Sequence, residues 1–362
     1  MDTRGRRARL RERAEREGLD AVLVVNVEGS DQPNLRYLTG FTGSFGLLIL
    51  GEKELLATDS RYLEQAGRQV QDLAVERVTG DWHRWLGRRL GELQLRRAAL
   101  GARTTSVQVF QELGRQAPST ELVAADGWVE ALRRRKSAPE VDCLARAARL
   151  TDEGLRWVLG KLRPGMTERE VALELEMWYR RHGAEHVAFD LIVAAGPHSS
   201  MPHHRPGDRP LEEGQLTLFD IGARVDGYCA DLTRVVALGR VDPQMRAIYE
   251  LVLAANQAGL EAVRAGVSGV EADRAAREVI AAAGHADQFG HGLGHGVGME
   301  VHEAPRLSPT STDELEDGMV VTVEPGVYLP GQFGVRIEDL VVVRPDGCEI
   351  LSGFPKEELL VL

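Results

Sequence analysis

Short apolar runs, broken by glycine, proline and charged clusters, recur along the chain and set out its elements. The opening residues are rich in arginine and glutamate, and Arg11-Glu-Arg-Ala-Glu-Arg-Glu reads as the solvated face of a first helix. Ala21-Val-Leu-Val-Val follows as a short buried strand. Phe45-Gly-Leu-Leu-Ile-Leu and Glu54-Leu-Leu-Ala-Thr predict a hairpin about Gly51-Glu52-Lys53, so the front part is mixed α/β. At Arg133-Arg-Arg-Lys-Ser-Ala-Pro-Glu the pattern changes: Ser137 caps a new helix, Pro139 sits in its first turn and Glu140 completes a capping box. The pattern thus predicts an N-terminal α/β domain over 1–136 and a second domain over 137–362.

The second domain carries a weak internal repeat. Thr167/Glu170 and Ser268/Glu271 each form a capping box that opens a helix. Asp220 follows Thr167 by 53 residues, and Glu324 follows Ser268 by 56. Each half therefore runs from a capped helix to a hairpin that bears carboxylates. Residues 215–223 and 228–236 read as strands around Val225-Asp226-Gly227, which brings Asp220 and Asp231 within one position of facing each other. Residues 320–328 and 335–343 read as strands around Pro330-Gly331-Gln332, with Glu324 and Glu338 equidistant from Gly331.

All four acids interrupt apolar runs such as Leu216-Thr-Leu-Phe-Asp-Ile-Gly and Val321-Thr-Val-Glu-Pro-Gly. Like charges facing across a ladder are destabilising, and an unpaired buried charge costs more. The flanking residues are apolar on both parities, which disfavours solvated acids on a hairpin face and predicts divalent cations between the acids. Six of the ten histidines fall in two clusters, His198 with His203 and His204, and His291 with His295 and His302. Alternate glycines from 290 to 298 exclude a regular helix and are expected to allow positive φ and close approach to a ligand. His295 is assigned as the nitrogen ligand of a mixed oxygen and nitrogen set, with His291 and His302 beside it to hold substrate or move protons. His203 is the next candidate because Pro202 fixes its backbone; His198 and His204 stay open. His83, His182, His186 and His285 have no supporting context.

Composition narrows the class. With 362 residues, 43% of them hydrophobic and 27% charged, the chain is an ordinary globular protein long enough for two domains. A net charge of −11 argues against a nucleic-acid partner. No stretch approaches the roughly 18 apolar residues of a membrane span, and the charged start excludes a secretory signal. Cys143, Cys229 and Cys348 are odd in number and far apart, which fits free thiols in a reducing, cytoplasmic setting.

Several segments together resemble the pita-bread metallopeptidases, the family of methionine aminopeptidase, aminopeptidase P and prolidase. They are Phe219-Asp-Ile-Gly, Tyr228-Cys-Ala-Asp-Leu-Thr-Arg, His291-Gly-Leu-Gly-His-Gly-Val-Gly, Val301-His-Glu, Val323-Glu-Pro-Gly-Val-Tyr and Gly334-Val-Arg-Ile-Glu-Asp. In the front part, Asn34-Leu-Arg-Tyr-Leu-Thr-Gly-Phe-Thr-Gly-Ser and Thr58-Asp-Ser-Arg-Tyr are similar to the N-terminal domain of the proline-specific branch. The resemblance implies a pita-bread catalytic domain with internal pseudo-twofold symmetry. It also implies two divalent ions per chain, Mn²⁺ first with Co²⁺ or Zn²⁺ as alternatives. Asp220 would chelate one ion, His295 and Glu324 the other, and Asp231 and Glu338 would bridge both. His203, His291 and His302 fall where the family has catalytic histidines, and Arg336 where it has an arginine behind the ligands.

By that resemblance four carboxylates balance two divalent ions and leave room for a bridging hydroxide, with Glu324 as proton shuttle. The expected activity is cleavage of the Xaa-Pro bond in short peptides, as an Xaa-Pro dipeptidase (prolidase) or, alternatively, an aminopeptidase P on longer chains. A dipeptidase needs a cation for the substrate carboxylate: Arg336, His204, Arg205 or an arginine of the front domain. A non-catalytic binding module and a metal-free amidinohydrolase are disfavoured because all five ligands are present. The family also implies a homodimer.

Overall fold

In the computed structural model, which describes residues 1–362, the charged opening segment forms a helix, Thr3–Arg16 (α1), with Asp2 accepting the Gly5 N–H at 2.8 Å as its cap. The chain then divides into two compact units, Met1–Arg133 and Arg134–Leu362.

In the first unit α1 leads to Ala21–Asn26 (β1), Gln32–Thr39 (α2), Gly46–Leu50 (β2) and Glu54–Thr58 (β3). Leu63–Gln69 (α3), Ala74–Arg77 (β4), Trp82–Glu92 (α4) and Arg97–Gly101 (β5) follow. Val107–Gln116 (α5), Glu121–Ala125 (β6) and Trp128–Arg133 (α6) complete it. The six strands form one mixed sheet in the order β4-β3-β2-β1-β5-β6. The expected hairpin is present, with Leu47 opposite Ala57 and Leu50 opposite Glu54. Two charges of α1 are not solvated: Arg6 and Arg7 are buried, and the Arg7 guanidinium meets Glu54 at 2.9 Å and Asp72 at 2.7 Å.

The second unit opens with Ala138–Leu159 (α7), whose Ser137/Glu140 capping box is formed, and Glu168–Arg181 (α8). Next come His186–Val187 (β7), Ile192–Ala195 (β8), Leu216–Ile221 (β9), Ala223–Val225 (β10), Tyr228–Cys229 (β11) and Leu232–Ala237 (β12). The second half repeats the plan with Pro243–Ala262 (α9), Gly269–Ala282 (α10), Gly294–Gly296 (β13) and Glu303–Leu307 (β14). Val320–Val323 (β15), Gly326–Leu329 (β16), Phe333–Arg336 (β17), Asp339–Arg344 (β18), Gly347–Ile350 (β19) and Leu360–Val361 (β20) end the chain.

The pseudo-twofold repeat is visible in backbone hydrogen bonds. Gly165 N–H donates to Leu211 O and Leu211 N–H to Met166 O; in the second half Gly266 N–H donates to Leu315 O and Leu315 N–H to Val267 O, all four at 2.8 to 2.9 Å. Both capping boxes, at Thr167 and Ser268, sit beside these paired contacts. Each half has its own apolar cluster, and β9 serves both: Phe219 and Ile221 join one, Leu216 and Leu218 the other. Because neighbouring side chains in a strand point to opposite faces, Asp220 shares its face with Leu218, the side that packs on the second half.

The two hairpins differ in register. The first turns on two residues, Asp226 and Gly227, both in the left-handed region at φ 50° and 85°, which defines a tight two-residue turn. The ladder therefore pairs Asp220 with Thr233 and Ile221 with Leu232. A turn centred on Asp226 would set Asp220 and Asp231 one position apart and on opposite faces. The observed turn sets Asp231 two positions from the partner of Asp220, on the same face. In the second hairpin Gly331 takes φ 72° after Pro330, and a three-residue connection keeps Gly331 central. Both ladders of this hairpin share one register, from Val320 opposite Val342 to Leu329 opposite Phe333, so Glu324 stands opposite Glu338 as expected.

Because the two capping boxes occupy equivalent places, Thr167→Ala and Ser268→Ala should each lower unfolding stability by about 1 kcal/mol, read from urea midpoints.

Candidate metal centre

At Glu324 and Glu338 the second hairpin opens, and the two backbones turn to other strands. Glu324 N–H donates to Leu293 O at 2.8 Å, and Glu338 N–H to Thr233 O at 3.2 Å. These bonds dock the acids of the second half against β12 and the glycine-rich segment. Two threonines aim the carboxylates: Thr233 Oγ1 donates to Glu338 at 2.7 Å, and Thr322 Oγ1 to Glu324 at 3.0 Å.

None of the alternate glycines at 290, 292, 294, 296 and 298 takes a positive φ, contrary to expectation. Close packing explains those from 292 to 298 instead, whereas a Cβ on Gly290 would meet nothing. A Cβ on Gly294 would strike the carbonyl of Thr322, and one on Gly296 the carbonyl of Ala304, because β13 lies between β15 and β14. Asp273 and Arg277 of α10 brace this segment: Asp273 accepts the Leu293 N–H at 2.9 Å, and Arg277 donates to the carbonyls of Phe289 and His291.

Asp220, Asp231, His295, Glu324 and Glu338 all line one cavity of 720 Å³, together with His203, His291, His302 and Arg336. His295 Nδ1 lies 3.1 Å from Gly296 O; a carbonyl only accepts, so this nitrogen carries the proton. Nε2 faces Glu324 at 3.2 Å and Asp231 at 3.7 Å, so either it carries a second proton that it donates to Glu324 or its lone pair meets a cation lying between them. Donor atoms of Asp231, His295 and Glu338 fall within 4.8 Å of one another. Asp220 Oδ1 is buried with no hydrogen-bond partner. Acceptors turned toward acceptors require a cation or protons between them.

Arg336 is the guanidinium inside this group. It donates to Asp220 at 2.5 Å, to Thr233 Oγ1 at 2.9 Å and to Tyr328 Oη at 2.8 Å. Each remaining direction follows: Tyr328 O–H donates to His291 Nε2 at 2.9 Å, and His291 Nδ1–H donates to Gly292 O at 2.8 Å. His291 is thus held neutral with both nitrogens engaged, and burial lowers its pKa. Burial also pushes Tyr328 up to about 12.

One arginine cannot balance four acids. Burial, then the charges of neighbouring carboxylates, raises Asp231 and Glu338 well above the usual range. Burial likewise raises Asp220, against the pull of Arg336. Burial opposes the charge on Glu324 too, but its hydrogen bond with His295 and the nearby positive groups hold it at about 2. Without metal the group must keep protons; oxygen-rich ligands with one imidazole suit Mn²⁺, Co²⁺ or Zn²⁺ in their place.

His302 meets His295 edge to face, with ring centroids 4.4 Å apart, and desolvation followed by the charges of His295 and Arg306 lowers it to about 4. Of the open histidines, His204 lines the cavity, while both His198 and His204 bond to Glu168. The contextless histidines lie elsewhere, His83 stacked on Trp82 and His182 on Trp178. Of the candidates for a substrate carboxylate, Arg336 is committed to the interior, whereas Arg205 is exposed at the cavity without a side-chain partner. Arg306 is equally exposed and unpartnered there, and the sequence reading missed it. No local motif marks it; its ladder pairing with His295 places it. Tyr328, Thr233 and Thr322 were legible only as neighbours of the acids.

The three cysteines are free thiols, and no helix is long and apolar enough to cross a membrane.

Residues 142–345 match the model of metallopeptidase family M24, and residues 6–135 that of the creatinase/prolidase N-terminal domain. The chain is 32% identical to the Xaa-Pro dipeptidase of Pyrococcus horikoshii over 351 residues, which cover 95% of each. The solved structure of an Xaa-Pro dipeptidase from Bacillus anthracis is 35% identical with a TM-score of 0.95, covering 99% of this chain and 100% of that one. The solved X-Pro aminopeptidase from Thermotoga maritima is 38% identical with a TM-score of 0.91, covering 97% and 100%.

Because burial and its acidic neighbours make Glu338 costly to ionise when no metal is bound, Glu338→Gln should melt no lower than the parent in excess chelator. With Mn²⁺ added the order should reverse, the parent gaining several degrees and the variant little, by differential scanning fluorimetry.

Proposed function

The chain belongs to metallopeptidase family M24, and from that premise we propose that it hydrolyses the Xaa-Pro bond of short peptides, acting as an Xaa-Pro dipeptidase. The observation that carries the reading is the convergence of five donors, Asp220, Asp231, His295, Glu324 and Glu338, with the Nε2 of His295 aimed at two of the carboxylates. These residues would hold two divalent ions, with Mn²⁺ as first choice. When bound, such a pair polarises a scissile carbonyl and lowers the pKa of water toward about 7.

The protein groups supply the rest. Glu324 lines the cavity beside His295, and there it takes the proton of the attacking water and passes it to the leaving nitrogen. That proton is essential before proline, whose amide nitrogen carries no hydrogen. His302 is neutral at working pH, and one ring N–H can donate to the developing oxyanion or the leaving nitrogen. His203 lines the same cavity and serves the same charge. His291 and Arg336 act from the wall, through Tyr328 and Asp220.

A dipeptide presents its own carboxylate one residue beyond the scissile bond. Arg306 and Arg205 are the exposed guanidiniums of the cavity and fit that anion. The second reading is an aminopeptidase acting on longer Xaa-Pro peptides, favoured by the 38% identity to the X-Pro aminopeptidase structure. The domain limits 1–136 and 137–362, set by the change of pattern at residues 133–140, and a cytoplasmic location complete the proposal; a homodimer rests on the family resemblance.

Chelator-stripped protein reloaded with Mn²⁺ should release proline from Ala-Pro, by mass spectrometry. Release of alanine mainly from Ala-Pro-Ala would instead favour the aminopeptidase, and cleavage of neither would remove proline specificity. His302→Ala should retain its metal and lose about a hundredfold in kcat. Arg306→Ala should raise KM for Ala-Pro about tenfold or more, with little effect on Ala-Pro-Ala.

A further inference from the structure

His203 rides on a strap, residues 195–207, that lies between two anchors. The first is Ser199, whose Oγ accepts the Gly334 N–H at 2.9 Å and donates to Gly196 O at 2.7 Å. The second is Glu168, the first residue of α8, which is fully buried. One of its oxygens accepts from Ala195 N–H and His198 Nδ1–H, each at 2.8 Å. The other accepts from His204 Nε2–H at 2.8 Å and Gly207 N–H at 3.0 Å.

Four donors fill the four acceptor sites of the carboxylate. Burial opposes its charge, but the bonds from Ala195, His204, Gly207 and His198 hold the carboxyl below its usual range. Glu168, His198 and His204 gather their donor atoms as closely as a metal site would. The filled carboxylate argues otherwise, since no lone pair is left for a cation. Both imidazoles are thereby fixed in one tautomer, and their rings lie tilted against each other with centroids 4.3 Å apart. The fastened residues 198, 204 and 207 flank His203 on both sides, and His204 is its immediate neighbour. Pro202 and Pro206 fix φ within the same stretch, so little freedom remains once the carboxylate is engaged.

We propose that Glu168 is a positioning residue for the reaction, clasping the strap through His198, His204 and two main-chain amides so that His203 is held at the cavity wall. The inference rests on the reading of His203 as a group that meets the substrate. Nothing in the peptidase chemistry requires Glu168 to contact the reacting atoms, and it lies outside the cavity lining.

The test uses the full-length, Mn²⁺-loaded protein with Ala-Pro as substrate. Glu168→Gln offers one acceptor oxygen where four N–H groups converge, so two lose their partner. It should lower kcat about tenfold to a hundredfold while KM moves less than about threefold. In a His203→Ala background the same change should alter kcat by less than about twofold, because the two residues act in series. Hydrogen exchange read by mass spectrometry should show faster exchange of amides 196–207 and unchanged protection of β9 and β18. An equal loss of kcat in both backgrounds, or unaltered exchange over 196–207, would overturn the proposal. So would loss of one bound metal per chain from Glu168→Gln, which would mark a cation site instead. If Glu168→Gln does not fold, His204→Ala removes one arm of the clasp and should give the same pattern more weakly. The exchange measurement needs no substrate, so it decides the clasp even if the wild-type chain cleaves neither peptide.

Discussion

Four carboxylates buried around a single guanidinium govern the architecture of the second unit. Such a group is unstable as an isolated set of anions, and its own protons are the only compensation the chain can supply by itself. Arg336 neutralises Asp220 directly and reaches Glu338 only through Thr233. The rest of the imbalance makes the site a receptor for cations. The strands that enter it hold the acids close to one another at the cavity wall.

The hairpins meet this demand by different devices. The first relies on a two-residue turn that sets Asp220 and Asp231 diagonally on one face, which separates them by more than a direct pairing would. The second places Glu324 and Glu338 directly opposite, but releases both from the ladder so that their backbones bond to Leu293 and Thr233. This cross-bonding ties the two halves of the repeat together at the acids themselves. Glycines at 294 and 296 are the cost of packing three strands so tightly around His295.

Around this centre the hydrogen bonds run in forced directions. From Arg336 through Tyr328 to His291 and the carbonyl of Gly292, each partner has one remaining role, and the chain fixes a neutral imidazole in the wall. On the cavity surface the groups are of the opposite kind: His203, His302, Arg205 and Arg306 are exposed. A hydrogen-bonded interior thus carries an exposed polar mouth.

Much of this was written in local sequence. Apolar runs broken by glycine and proline gave the strands, three capping boxes marked helix starts at Ser137, Thr167 and Ser268, and the acids stood out because nothing around them was polar enough to solvate them. The position of Gly331 midway between Glu324 and Glu338 also determined their pairing, since register in a hairpin follows from its turn. Only the tertiary structure decided the one-residue shift that brings Asp231 onto the face of Asp220, because two adjacent positive-φ residues, not three loop residues, make that turn. It alone gave the glycines their reason, which lies in carbonyls of strands distant in sequence. It alone joined Glu168 to His198 and His204, and Arg306 to His295. Such partners are set by packing between segments far apart in the chain, and no local pattern encodes them.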